Sequence, residues 1–148
     1  MSNKVFLKNA AKRILENKIE DMRNVLKLPE ETISQVAELD CKNAISRVLN
    51  FFIIYNDDGS REPQTDYFSI EKGKYKNIDK YCEDFDMYFH IMPDDDEYTK
   101  KIIRDNNATT RKNMREEFDA YCKIYKLIGD YIFRFAQYTP DGWVKIIR

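Results

Sequence analysis

Apolar residues recur at steps of three and four along most of the chain. The longest such run spans Thr110 to about Gln137, where Met114, Phe118, Tyr121, Cys122, Tyr125, Ile128, Ile132 and Phe135 share one face of a 3.6-residue helix. The spacing predicts one long amphipathic helix (about 110–137). At ~1.5 Å per residue it is about 40 Å long, against a radius of gyration near ~15 Å for a chain of this size, so it is expected to cross the whole domain. Gly129 interrupts the run at a cost of about 1 kcal/mol relative to Ala, which predicts a kink or a close helix crossing there.

The same spacing predicts an amino-terminal helix from Ser2 to about Lys27, with Leu7, Ala11, Ile14, Leu15, Ile19, Met22, Val25 and Leu26 inward. Leu28-Pro29-Glu30-Glu31 breaks it and opens a short helix that buries Ile33, Val36, Ala37 and Leu39, because Pro and carboxylates both suit a helix start. A third helix begins near Lys42 and carries Ala44, Ile45, Val48 and Leu49. At Phe51 the period changes. The β-branched and aromatic run Phe51–Tyr55, the turn Asn56–Ser60 and the run Asp66–Ile70 predict a hairpin over about 51–70. A helix is expected from about Ile78 to Met92, stopped by Pro93, and a short one from Glu97 to Asp105. Thr139-Pro140-Asp141-Gly142 is a turn signal, and Trp143–Ile147 is expected to add a C-terminal strand (143–147) beside the hairpin. The expected fold is α+β and mostly helical, with a small antiparallel sheet, as a single globular domain over residues 1–148.

Composition narrows the function classes. The 148 residues are 43% hydrophobic, enough for a core, and 14% aromatic, a content high enough to place some rings on a partner surface. A net charge of -1 argues against wholesale nucleic-acid binding, a polyanionic mimic and a membrane-surface protein. Cys41, Cys82 and Cys122 lie far apart without CxxC spacing, so buried thiols in a reducing cytoplasm are expected. No apolar run approaches the ~18 residues of a membrane span, and no signal-peptide core opens the chain. With no Gly-rich phosphate loop, no cofactor is expected.

Thr32-Ile33-Ser34-Gln35-Val36-Ala37-Glu38-Leu39, followed by Ala44-Ile45-Ser46-Arg47-Val48-Leu49-Asn50, resembles the helix-turn-helix opening of LacI-type repressors. The resemblance covers about 32–50 and implies that the segment around Asn43 to Arg47 lies in the major groove of DNA. The turn Asp40-Cys41-Lys42-Asn43 departs from that family in being about two residues shorter and in lacking its Gly.

Charge is segregated more sharply than hydrophobicity. Glu83, Asp84, Asp86, Asp94, Asp95, Asp96 and Glu97 form an acidic block, and Lys100, Lys101, Arg104, Arg111, Lys112 and Arg115 follow as a basic one. Both blocks are candidate partner-binding residues. With a helix starting at Thr110, Arg111, Lys112 and Arg115 stand in its first turns, where the macrodipole disfavours cations, an arrangement suited to gripping a phosphate or an acidic partner. The competing expectation is that Asp94 to Glu97 fold back onto these cations as surface pairs. Asp84, Asp86, Asp94 and the single His90 define a weaker alternative, a metal-dependent phosphodiesterase. No nucleophile motif accompanies His90. The expected function is therefore non-enzymatic binding of another protein in the cytoplasm, as an inhibitor, immunity or antitoxin protein, or phage-encoded antagonist, with nucleic acid as the alternative partner.

Overall fold

The computed structural model describes the backbone of residues 3–139 and 142–145, with side chains at Arg13 and at residues 15–133. In chain order the elements are α1 (Asn3–Asn24), α2 (Glu30–Glu38), α3 (Lys42–Phe52), β1 (Ile53–Tyr55), β2 (Arg61–Pro63), α4 (Tyr67–Glu71), α5 (Ile78–Asp84), α6 (Glu97–Asn113), α7 (Arg115–Phe135), β3 (Ala136–Thr139) and β4 (Gly142–Lys145). The fold is α+β and mostly helical. The chain divides into two compact units, the first made of 1–74 and 120–148 and the second of Tyr75–Asp119, so the division falls within α7.

In the first unit part of the predicted inward set forms the core: Met22, Val36, Ala44, Ile45, Val48 and Leu49 are fully buried, as are Tyr121 and Ile128 of α7, whereas Leu15, Ile19, Val25, Ala37, Leu39, Cys122 and Ile132 are partly exposed and the side chains of Leu7, Ala11, Ile14 and Phe135 lie outside those described. Each fully buried Val, Leu, Ile or Met side chain contributes ~1.5–3 kcal/mol relative to exposure. The turn after α4 pairs the helix's last carbonyls, Ile70 O accepting from Gly73 N and Glu71 O from Lys74 N, each at 3.0 Å, and α7 brings two further donors to this end. Tyr121 Oη donates to the Gly73 carbonyl at 2.6 Å, and Tyr125 Oη donates to that of Ile70 at 2.9 Å. Gly73 is required there for space: a Cβ on it would stand 2.6 Å from the Phe51 ring. Gly129 is buried within α7. A Cβ there would meet Phe133 at 3.3 Å and Tyr125 at 3.8 Å, rings of its own helix.

The strands differ from expectation in detail. The hairpin closes through Asn56–Ser60, with Gly59 at φ 86, and pairs Ile53 with Pro63 and Tyr55 with Arg61. Its second strand is therefore Arg61–Pro63. The run Asp66–Ile70 is helical instead, because Asp66 caps it, accepting from Phe68 N at 3.2 Å and Ser69 Oγ at 2.8 Å. Such a cap outweighs β-propensity in so short a run. The C-terminal strand pairs with β3, not with the first hairpin, giving two separate two-stranded sheets among the described residues. The strand just before it in the chain is its nearest partner, with Thr139 paired to Gly142. Ser2, Pro140, Asp141, Ile146 and Ile147, which the sequence assigns to helix, turn and strand, lie outside the described residues.

The second unit is held by rings. Tyr81 and Cys82 are fully buried, and Tyr81 stands 5.0 Å from Phe85, 5.3 Å from Phe118 and 5.6 Å from Tyr75, centroid to centroid. Helix α5 stops at Asp84, eight residues before the expected end, and Asp86 takes a left-handed φ of 55. The carboxylates of Glu83, Asp84 and Asp86 crowd a helix end where the macrodipole favours cations. Helix α6 instead runs past Asn106 and Asn107 to Asn113, and Met114 separates it from α7. The expected helix over 110–137 thus begins at Arg115.

Tyr121→Phe leaves the Gly73 carbonyl unpaired in the core and is expected to cost about 1–3 kcal/mol. Gly73→Ala, which drives a methyl into the Phe51 ring, is expected to cost a further ~1–3 kcal/mol. Urea unfolding of each variant measures both, and an unchanged midpoint for either removes that contact from the account.

Candidate functional site

Every residue of the two charged blocks except Arg115 precedes Met114, and this placement changes their meaning. Lys100, Lys101, Arg104, Arg111 and Lys112 all lie on α6, within about a third of its circumference. Arg111 and Lys112 occupy its last turn, the end where the macrodipole favours cations, so the expected conflict with the helix dipole is absent. Arg115 opens α7, beside Glu116 and Glu117 in the same first turn.

The acidic block does not fold back onto Arg111. Asp96 caps α6, accepting from Thr99 N at 2.7 Å, and these bonds to Thr99 hold its carboxyl below the usual range. Asp95 accepts from Met92 N at 2.7 Å, and Glu97 pairs with Lys100 at 3.4 Å. Asp84 pairs with Lys80 at 3.1 Å. Glu83, Asp86 and Asp94 are exposed without an ion pair, as are Lys101, Arg104, Lys112 and Arg115, among the described residues.

Arg111 is held by residues outside both blocks. Its Nε donates to Asp79 Oδ1 at 2.8 Å, and Tyr88 Oη donates to the same oxygen at 2.7 Å. The Tyr88 and Arg111 bonds lower the Asp79 pKa. Burial, then the bond to Asp79, pushes the Tyr88 phenol up to about 12. The signal for this cluster is not local: Asp79 is 32 residues from Arg111 and lies on another helix.

Hydrophobic exposure is concentrated on the same stretch. Of the seven large hydrophobic side chains exposed among the described residues, five lie between Phe89 and Ile102: Phe89 (64%), Ile91 (40%), Met92 (55%), Tyr98 (74%) and Ile102 (42%). The segment expected to continue α5 is a loop, pinned where Asn107 takes both backbone groups of Phe89, each at 3.0 Å. His90 is exposed in this loop. Among the described residues no three His, Cys, Asp or Glu side chains gather closely enough to hold an ion, so Asp84, Asp86, His90 and Asp94 form no common set.

In the first unit, Asp21 is the buried charged residue, with Arg61 Nη1 on one oxygen and Tyr55 Oη, 2.9 Å away, on the other. Lys18 Nζ stands 4.7 Å above the Tyr55 ring, and the four residues with Asn17 line a hollow of about 220 Å³. Burial and the bond to Asp21 push the Tyr55 phenol well up. Both carboxylate oxygens are used, so this network ties α1 to the hairpin. The segments of the helix-turn-helix resemblance are helices α2 and α3, and Asp40 between them has a left-handed φ of 48. Helix α3 buries Ala44, Ile45, Val48, Leu49 and Phe52, leaving Asn43 and Asn50 exposed and Ser46 and Arg47 partly so.

Asp79→Asn is expected to lower the Tyr88 pKa from about 12, read by ring-carbon NMR; an unmoved titration would show that burial alone sets it. Because the folded chain holds this proton more tightly, Tyr88 stabilises fully below pH ~10, and its contribution is lost as the pH rises toward about 12. Asp21→Ala leaves Arg61 and Tyr55 without their acceptor and is expected to cost about 3 kcal/mol in denaturant unfolding, the low end for a buried pair because Arg61 is half exposed. Comparison of the chain with family models, with curated proteins and with solved structures finds no match.

Proposed function

We propose that the chain is a non-enzymatic protein-binding module of the cytoplasm, acting as a stoichiometric inhibitor, an immunity or antitoxin protein, or a phage-encoded antagonist of another macromolecule. The observation that carries this reading is the exposure of Phe89, Ile91, Met92, Tyr98 and Ile102 within one short stretch of the second unit. Apolar side chains gain nothing from water, and aromatic residues and Met are enriched at protein interfaces, with charged groups at their rims. Here the charged groups are Asp94 before α6 and Lys101 and Arg104 on it, all exposed. Among the described residues no helix is long and apolar enough to cross a membrane, which accords with a partner met in water.

The succession of the short helices α2 and α3 is what a second reading, a DNA-binding regulator, rests on. Its support is thinner in charge. The partly exposed side of α3 carries two cations, Arg47 and Lys42, the latter paired with Asp40 at 3.8 Å, and the turn between β1 and β2 presents the carboxylates Asp57 and Asp58. A phosphate backbone is attracted by clustered cations, and these carboxylates repel it.

The test is capture by the tagged full-length chain from its own cell extract, with and without nuclease, at low and high salt. The expected result is one other protein held near equal stoichiometry through nuclease treatment and lost from a Phe89→Asp/Met92→Asp variant. Recovery of nucleic acid that salt releases would overturn the reading in favour of the second.

A further inference from the structure

The hollow beside α1 carries more hydrogen-bond donors than the network around it uses. Tyr55 and Arg61 stand opposite each other across the hairpin, so both side chains leave the same face of the two strands. Asn17, Lys18 and Asp21 meet them from one turn of α1, and the five line a cavity of about 220 Å³. Asp21, the buried one, is engaged at both oxygens, one taking Arg61 Nη1 and the other the Tyr55 hydroxyl. Two cations therefore face one carboxylate. Lys18 Nζ donates to Tyr55 Oη at 3.3 Å and stands over that ring, but it forms no ion pair among the described residues. Arg61 is engaged through Nη1, which leaves Nε and Nη2, the N–H pair along the other side of the guanidinium. The lining thus has one positive charge and several N–H donors to spare, while each of its side-chain oxygens apart from that of the Asn17 amide already receives a donor.

We infer that this hollow is a binding site for a small oxyanion, the carboxylate or phosphate group of a low-molecular-weight ligand. A guanidinium fixed on one side by a buried carboxylate presents its remaining N–H pair in a set plane, the geometry that matches two oxygens of a carboxylate or a phosphate. Asp21 is a positioning residue. It holds Arg61 and the Tyr55 hydroxyl before the ligand arrives, so binding does not bear the entropy of ordering them. Lys18 brings the second charge as a point cation kept over the Tyr55 ring. Sites for drug-sized molecules run from about 300 Å³ upwards, and this hollow is smaller, so the ligand is small. A long polyanion is disfavoured by the turn between β1 and β2, where Asp57 and Asp58 are exposed. Asp58 is turned back onto Ser60, accepting from its N at 2.9 Å and its Oγ at 2.6 Å, and neither carboxylate lines the hollow. The cations are partly in water, so the affinity is modest, with a Kd on the order of a millimolar. The site lies in the first unit and stands whether or not Phe89 to Ile102 meet another protein.

Titration of the full chain with sodium phosphate and, separately, with sodium acetate tests it, at pH 7 and an ionic strength held constant with sodium chloride. The signals read are the NMR resonances of Arg61 Nε–H and of the Tyr55 ring. The expected result is a saturable shift of both, half complete near ~1 mM, with at least one of the two anions. The anion that saturates at the lower concentration names the source of the oxyanion. Lys18→Gln removes a cation, leaves Asp21, Arg61 and Tyr55 paired, and is expected to weaken binding about fivefold. Arg61→Lys keeps a cation for Asp21 but removes the planar fork, and is expected to weaken it about tenfold. Circular dichroism confirms that each variant is folded, and Lys18→Gln decides the outcome should Arg61→Lys unfold. Lys42→Gln, on α3 and off the hollow, is expected to change nothing. Shifts that stay linear to about 50 mM with both anions overturn the inference, as does binding that Lys18→Gln leaves unchanged. Neither result bears on capture of another protein through Phe89 and Met92.

Discussion

Two phenol hydroxyls tie α7 to the chain at the end of the short helix from Tyr67 to Glu71. That helix pairs its own last carbonyls, Ile70 O accepting from Gly73 N and Glu71 O from Lys74 N, each at 3.0 Å. A buried carbonyl without a donor costs more than a hydrogen bond usually returns, and the Gly73 carbonyl just beyond the helix takes its donor from outside. Tyr121 supplies it, and Tyr125, one turn on along α7, adds a second donor to Ile70 O. The approach needs Phe51 to lie against Gly73 without a Cβ between, so the glycine and the tyrosines form one constraint. Burial also pushes the Tyr125 phenol well up, which keeps it a donor across the ordinary pH range.

Where a helix ends decides what its charges mean. Arg111 and Lys112 read from a start at Thr110 look like cations forced against a helix dipole. Read from the break at Met114, they close α6 in the manner the dipole favours, and Asp96 opens it with a side-chain cap. The same shift of boundary gathers five basic residues that a loop would have dispersed. Of the carboxylates expected to neutralise them, Asp96, Asp95 and Glu97 are occupied locally, by Thr99, Met92 and Lys100, and Asp94 forms no ion pair, while Arg111 is taken by Asp79 from α5.

The core was legible because burial repeats with the helix: Phe118, Tyr121, Tyr125 and Ile128 on α7, and Ala44, Ile45, Val48 and Leu49 on α3, are buried as their spacing demands. What the spacing misplaced were ends and partners. Helical periodicity continues through Thr110 to Asn113 in either reading, so it is blind to a break at Met114. β-propensity at Tyr67-Phe68 lost to the cap at Asp66, a single polar residue. The triad of Asp79, Tyr88 and Arg111 joins two helices and a loop, and no local pattern points to it. The exposure of Phe89, Ile91 and Met92 was hidden for a related reason, since an aromatic run reads as core until the fold shows it outside.

Helix α6 shows how a surface can be held ready without being buried. None of its residues from Glu97 to Asn113 is buried, so packing contributes little to its stability. It is fixed instead at its margins. Asp96 caps its start, Asn107 clamps the backbone of Phe89 along one side, and Arg111 is tied to Asp79 near its end. These contacts use polar groups on the inward side and at the ends. Tyr98, Lys101, Ile102 and Asp105 take no part in them, so changes there leave the helix intact while altering what it meets. A contact surface on a helix supported in this way is already ordered before its partner arrives, and association then does not bear the entropy of forming it.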